Sequence, residues 1–333
     1  MIFFQDKLLK VITEAQLAKI LSFYGRFAFQ SFTPKSGWKN LILKITTNSG
    51  VFNLRIYRSK NLKKINLSLE VMKYLKSRRF SLPTFVKTKT GKRIIIVEFG
   101  KFTQPAVLFR YLEGKICPVL TPSEISQFGQ LVGKLHLALE EYQPLTKPAP
   151  KLNLWHFERS VKRQIEEKFK NYPQVFNLWK KFDPILTESL ISATSVFSES
   201  QLIHGDLTSS NILFKIQNED NLAKPEITAI LDFDEVKLAP RIYDLANFVG
   251  NYTQTLRSLN NFEPVYQILA SLLSGYEKYG RLQEKEKLLL PIIVRLWFFK
   301  KIIWAQGETT KKYRQKWAKE IISWCIEALK EEF

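Results

Sequence analysis

The sequence predicts an α+β fold: a small antiparallel sheet with one main helix, then a larger and mostly helical part. Three observations carry this. Extended runs cluster in the first third, two of them joined by the turn Asn48-Ser49-Gly50. Apolar residues at helical spacing dominate after Thr121. Only the stretch from Gln201 to Asp234 interrupts that pattern with short apolar runs around polar loops. A chain of 333 residues can bury a sizeable core, as one large domain or two smaller lobes.

Taken in order, Thr13 before Leu17, Ile20, Leu21 and Tyr24 predicts a capped helix ending at Gly25. Strands are expected over 26–32, 40–47 and 51–58. The loop between the first two holds a single glycine, Gly37, and leads into Asn40. Such a strand-loop-strand could fold over phosphates through backbone N–H groups, or be an ordinary hairpin loop. In the third strand Phe52, Leu54 and Ile56 share one face, which puts Arg55 on the other with Asn53 and Tyr57. Ile65, Leu69, Met72 and Leu75 mark a helix over 62–79 that contains Glu70. Strands over 84–87 and 92–98 follow, then the run Ala106 to Gly114. Thr121 and Glu124 form a capping-box pair opening a helix through Phe128, Leu131, Leu135 and Leu139. Its glycines, Gly129 and Gly133, suit close packing, and His136 reads as a core histidine. Residues 143–153 are rich in proline and read as a loop, and 157–195 as two helices. The apolar stretch from Leu288 to Trp304 is broken by Pro291, Arg295, Lys300 and Lys301. It reads as a core helix, too short and too charged for a bilayer.

Chemistry concentrates in one stretch. His204-Gly205-Asp206 is followed by Asn211 five positions after the Asp, and the apolar run Ile230-Leu231 ends in Asp232-Phe233-Asp234. Phosphoryl transfer needs a carboxylate to take the acceptor hydroxyl's proton. It also needs an amide and a second carboxylate to hold magnesium on the nucleotide phosphates. Singly, each piece is an ordinary turn or cap; the ordered set, between short strands, is not. The frame H-x-D-x-x-x-x-N with a later D-F-x is the protein-kinase arrangement of catalytic loop and metal-binding Asp.

Gly205 replaces the arginine of that loop and Asp234 its later glycine. With Pro240-Arg241-Ile242-Tyr243-Asp244-Leu245-Ala246 downstream, the stretch resembles the aminoglycoside phosphotransferase/choline kinase superfamily. The opening T-E-A-Q-L run, the F-x-x-L-E-G run and the tail from Gly275-Tyr276 to Phe299 look closest to its type II homoserine kinase branch. The resemblance implies a two-lobed protein-kinase-like fold, with a nucleotide-binding lobe over 1–108, a hinge over 109–114 and a helical lobe over 115–333. It further implies ATP and magnesium as cofactors, Asp206 as the catalytic base, and Asn211 and Asp232 as magnesium ligands. Arg55, positioned by Glu70, would bind the α- and β-phosphates. Gly37, Asn40 and the hinge residues Arg110, Tyr111 and Leu112 would meet the nucleotide. Asp234 would serve a second metal or the substrate, and Asp244 would hold the catalytic loop.

The expected function is therefore transfer of the γ-phosphate of ATP to a hydroxyl of a small molecule, homoserine or another amino alcohol or sugar. Arg295 is the only charge between Pro291 and Phe299. It must meet a buried partner in the protein or a carboxylate on the substrate. Tyr252, Trp297 and Trp304 belong to the segments that relatives use for the substrate pocket. One alternative is an aminoglycoside O-phosphotransferase. Another is a non-catalytic protein of the same fold that binds nucleic acid or an acidic partner. The formal charge of +20, from 51 basic against 31 acidic residues, permits nucleic-acid contact. The basic residues are spread rather than blocked, which favours a solvated surface instead. Cys117 and Cys325 lie far apart, and Asp6 and Lys7 cut the apolar start short. Both point to a cytoplasmic protein with no membrane partner.

Overall fold

The computed structural model describes residues 4–35, 39–142, 154–170, 172–192, 200–215, 226–311 and 314–333. The expected loops at Gly37 and over 143–153 lie outside these. The architecture is α+β, with ten α-helices and a five-stranded antiparallel sheet among the described residues. The chain forms two compact units, Met1–Gly114 with Ala229–Leu231, and Lys115–Thr228 with Asp232–Phe333.

The first unit opens with α1 (Phe4–Leu9) and α2 (Glu14–Ser22), then β1 (Phe29–Lys35), β2 (Leu41–Thr47), β3 (Gly50–Ile56), α3 (Leu62–Ser77), β4 (Ile95–Phe99) and β5 (Phe102–Arg110). A reciprocal capping box between Thr13 and Gln16 starts α2. The sheet order is β1-β2-β3-β5-β4, all neighbours antiparallel. Alternation decides which face is buried. Leu43 and Ile45 of β2 and Phe52, Leu54 and Ile56 of β3 join Leu17, Ile20 and Leu21 of α2 in one core. Arg55 is thereby left on the opposite face, as its neighbours in sequence require.

Two strands differ from expectation. β1 begins at Phe29 and runs through Pro34 to Lys35, three residues later than the sequence suggests at both ends. Pro34 is tolerated because β1 is an edge strand, where a missing N–H goes unused. The fifth strand is Phe102–Arg110 and takes in Phe109 and Arg110, the first two residues of the expected hinge. Pro105 sits where the β3 ladder ends, at Ile56↔Ala106. The segment 84–87 contributes only the bridge Phe85↔Phe109.

The second unit contains α4 (Pro122–Glu140), α5 (Leu154–Lys168), α6 (Pro173–Ser192), β6 (Gln201–Ile203), β7 (Ile212–Phe214), β9 (Lys237–Ala239), α7 (Ile242–Ser258), α8 (Val265–Tyr276), α9 (Glu284–Thr309) and α10 (Gln315–Lys330), and β8 (Ile227–Ile230) pairs with β7. The Thr121/Glu124 capping box is present at the start of α4. α4 and α8 approach closely because Gly129 and Gly133 carry no side chain. A Cβ on Gly129 would stand 2.1 Å from the Leu272 carbonyl oxygen, and one on Gly133 2.7 Å from that of Tyr276. That approach fixes His136 of α4 against Tyr276 of α8.

Candidate active site

The loop after β6 is held by a buried carboxylate. Asp244, in the first turn of α7, is fully buried and accepts from the backbone N–H of His204 at 2.8 Å and of Gly205 at 2.7 Å. His136 lies 3.1 Å from the same carboxylate through Nε2 and 2.9 Å from the Tyr276 hydroxyl through Nδ1. Burial pushes the Asp244 carboxyl up. The hydrogen bond from His136, the nearby imidazoles and the Gly205 N–H outweigh it and hold the group below the ordinary aspartate value. Asp244 is thus an ionised loop anchor, and His136 is the satisfied core histidine its helix suggested.

Gly205 is required for two reasons. Its φ is +81°, and a Cβ there would stand 2.1 Å from the Glu235 carbonyl oxygen. The Asp206 N–H donates to His204 Nδ1 at 3.3 Å, and Asn211 Nδ2 donates to the Asp206 carbonyl at 2.8 Å. The main chain of Asp206 is therefore fixed from both sides. Asn211 closes the 3-10 turn Ser209–Asn211, and its use of Nδ2 reserves Oδ1 as an acceptor. Phe233 packs its ring 4.6 Å from that of His204, tying the second motif to the first. Asp232, just before it, adopts a left-handed backbone at φ 60°, ψ 65°. That conformation is uncommon outside glycine and is kept where the surroundings impose it. Asp234 follows in the 3-10 turn Phe233–Glu235, half-buried.

An amide oxygen and a carboxylate are hard donors of the kind magnesium takes while keeping water and phosphate as its other ligands. Asn211 and Asp232 fit that cation. Among the described residues no cluster of three or more His, Cys, Asp or Glu makes a self-sufficient metal cage.

In the first unit, Arg55 sits on β3 opposite Ile42 and Val107, its guanidinium 5.4 Å from the Tyr57 ring. Glu70 Oε1 accepts from Arg93 Nη2 at 3.5 Å, and Arg93 also donates to Asn66 at 3.2 Å. Sequence reasoning did not foresee this arginine. Asn40 is a brace: its side-chain oxygen accepts from the Arg58 N–H at 3.1 Å, and its carbonyl from Gln5 at 3.3 Å. Arg110 N–H donates to Thr84 O at 2.8 Å and Tyr111 N–H to Val51 O at 3.1 Å, which engages both donors within the first unit. The Tyr111 ring lies between the ammonium groups of Lys35 at 4.6 Å and Lys44 at 4.7 Å. Leu112, just after it, is half-buried.

Two residues expected near the substrate have partners within the protein. Arg295 donates to the main-chain oxygens of Glu331 at 2.9 Å and Phe333 at 3.4 Å, and lies 4.5 Å from the Phe333 ring. Its guanidinium thus meets carbonyls of the C-terminal segment. The Tyr252 hydroxyl is buried and bonded to the N–H and carbonyl of Leu120. Trp297, by contrast, is linked through Asn247 to the loop after β6. Its indole N–H donates to Asn247 Oδ1 at 3.0 Å, and Asn247 Nδ2 donates to the Leu207 carbonyl at 3.2 Å. Asn247, Tyr243 and Lys301 were not singled out from sequence. The spacing Trp297, Lys301, Trp304 along one helix face was the available signal.

Residues 33–282 match the phosphotransferase enzyme family. A homoserine kinase of Gluconobacter oxydans (strain 621H) is 21% identical over 300 residues, covering 85% of each chain. Among solved structures, a microcompartment-associated aminopropanol kinase superposes with a TM-score of 0.74 at 19% identity, over 95% of this chain and 94% of the other. An amicoumacin kinase in complex with AMP-PNP and Ca2+ gives 0.70 at 15% identity, over 98% and 96%.

Proposed function

This chain belongs to the phosphotransferase enzyme family as a small-molecule phosphotransferase, and from that premise we propose that it transfers the γ-phosphate of ATP, with magnesium, to a hydroxyl of a small molecule. The observation that carries this reading is the fixed loop. His204, Gly205, Asp206 and Asn211 are locked by main-chain hydrogen bonds and by Asp244, so the Asp206 carboxylate stands on a rigid frame.

In this reading Asp206 orients the acceptor hydroxyl and takes its proton as the phosphoryl group leaves the nucleotide. Asn211 and Asp232 hold magnesium, which when bound neutralises the phosphate charge. Arg55, positioned by Glu70, grips the nucleotide phosphates, and Asp234 serves the substrate or a further cation. The first unit is the nucleotide-binding lobe and the second the catalytic and acceptor-binding lobe. Homoserine, aminopropanol and related amino alcohols are the first acceptors to examine, given the relatives. A reducing, cytoplasmic setting suits two cysteines that are both free thiols, and no described helix is long and apolar enough to cross a membrane.

Asp206→Asn tests the assignment. Turnover should fall by at least about a hundredfold, while Mg·ATP affinity stays within a few-fold, because the carboxylate acts on the acceptor. Near wild-type turnover in this variant would overturn the role of Asp206.

A further inference from the structure

α9 sets Trp297, Lys301 and Trp304 on one stripe, four and then three residues apart. The Lys301 ammonium lies 4.5 Å from the Trp304 ring and 5.4 Å from the Trp297 ring. Trp304 is braced edge-on by Trp317 of α10 at 5.4 Å. Trp297 is in turn joined through Asn247 to the Leu207 carbonyl, one residue beyond Asp206. Lys301 is half-buried, with both rings within reach of its ammonium.

An ammonium group has three donors, and aromatic faces satisfy charge without accepting conventional hydrogen bonds. Burial pulls Lys301 below the ordinary lysine value; the Cys325 sulfur and the Asp206 carboxylate oppose this, and Lys300 adds to it. Cys325 supplies no counter-charge, because burial pushes its thiol up to about 12. The Asp206 carboxylate is near enough for its charge to act on Lys301. Two further lysines meet Tyr243, the neighbour in sequence of the loop anchor Asp244. Lys300 donates to the Tyr243 hydroxyl at 3.3 Å, and the Lys237 ammonium lies 5.0 Å from the Tyr243 ring.

We propose that Lys301 is the residue that selects the acceptor, and that the substrate presents a carboxylate to its ammonium while its hydroxyl meets Asp206. The proposal rests on the reading of Asp206 as the group that receives the acceptor hydroxyl. A cationic acceptor is disfavoured on two counts. The indole faces on which it would sit already hold the protein's own cation, and Lys237 and Lys300 add like charge. A carboxylate gains a charge-assisted hydrogen bond that the rings do not supply. Polycationic aminoglycosides are the wrong charge for this site, and hydroxy acids, including hydroxy amino acids, are the right one.

The experiment compares wild type, Lys301→Met and Lys301→Arg on pairs of acceptors that differ by one carboxylate: L-homoserine with 3-aminopropan-1-ol, and 4-hydroxybutyrate with propan-1-ol. kcat/KM is measured for each, and binding of each to the Mg·ADP-loaded protein by calorimetry, after thermal melting shows that the variants fold. Wild type should favour at least one acid over its partner by about tenfold or more, corresponding to a single added charge-assisted contact. That ratio should collapse in Lys301→Met and recover in part in Lys301→Arg. Failure of wild type to prefer either acid, or a ratio unchanged in Lys301→Met, would overturn the proposal. If the acids bind in a Lys301-dependent way but no acceptor is phosphorylated, the kinase reading fails and the carboxylate site stands. If no acid binds at all, the carboxylate site fails.

Discussion

At the scale of single residues, the site is organised by charges whose partners can be named. Asp244 is the clearest case. Its folded value lies below the ordinary aspartate value, so it contributes stability that is fully present above the unfolded value. That contribution is lost as pH falls through the lower folded value, a window that opens below about pH 4. The urea midpoint of the wild type should therefore drop more steeply between neutral and strongly acidic pH than that of Asp244→Asn. Parallel profiles would show that another carboxylate governs acid unfolding. At neutral pH the same variant should be less stable by roughly 1–3 kcal/mol, since the buried acceptor shared by His136 and two N–H donors is weakened. Arg295 makes the opposite kind of prediction. Its hydrogen bonds to the Glu331 and Phe333 carbonyls imply that Arg295→Met costs about 1–2 kcal/mol of stability and leaves acceptor KM unchanged. A sharp rise in acceptor KM with unchanged melting would return Arg295 to the substrate site. Sequence physics was right that a charge in an apolar helix needs a partner. Nothing near position 295 could show that the partner lies more than thirty residues onward. Lys301 was hidden for a related reason. As part of a Lys-Lys pair it read as an interruption of an apolar run, and its meaning comes from the two indoles on its face.

Among the elements, legibility followed local pattern strength. The capping box of α4, the alternation of β3 and the helical spacing of α3 were all readable, because each is set by neighbours a few residues away. β1 was placed too early and β5 was not read as a strand, since each holds a proline and local rules read proline as a break. The sheet accepts Pro34 on its edge strand and Pro105 at the end of a ladder, and only the tertiary arrangement reveals those allowances. The glycine pair of α4 was legible as a packing device, and its strength is testable. Gly129→Ala would drive a methyl group into the Leu272 carbonyl, so a loss of about 2–3 kcal/mol is expected in the urea midpoint. Gly307→Ala on α9 meets nothing within 4 Å and should be neutral, or stabilising by up to about 1 kcal/mol through helix propensity alone. Equal effects at both sites would mean that α4 and α8 adjust freely and that their close approach is not what positions His136.

For the whole molecule, the open matter is what an excess of +20 does. A chain with that charge attracts polyanions at low ionic strength whatever its function. The ion pairs leave that excess intact, since each uses one acidic residue for one basic one. Arg93 faces Glu70, Arg241 pairs with Glu286 at 2.7 Å, Arg257 with Glu331, and Lys311 with Glu308 at 2.5 Å. Lys300 and Lys237 meet Tyr243, and Lys301 meets Trp297 and Trp304; single ammonium groups on aromatic faces suit a small anion better than a duplex. Binding to nucleic acid should therefore be electrostatic and unselective. For a footprint of six to ten phosphates, affinity should fall by about a thousandfold or more between roughly 50 and 200 mM salt. A fluorescence-anisotropy titration with a labelled duplex and a single strand of the same length, at both salt concentrations, measures this directly. Tight binding that survives the higher salt, with preference for one sequence or form, would require specific base or shape contacts. That outcome would make a nucleic-acid partner part of the function. Loss of binding by both would leave the basic excess as a solvated surface with one anion-selective point beside Asp206.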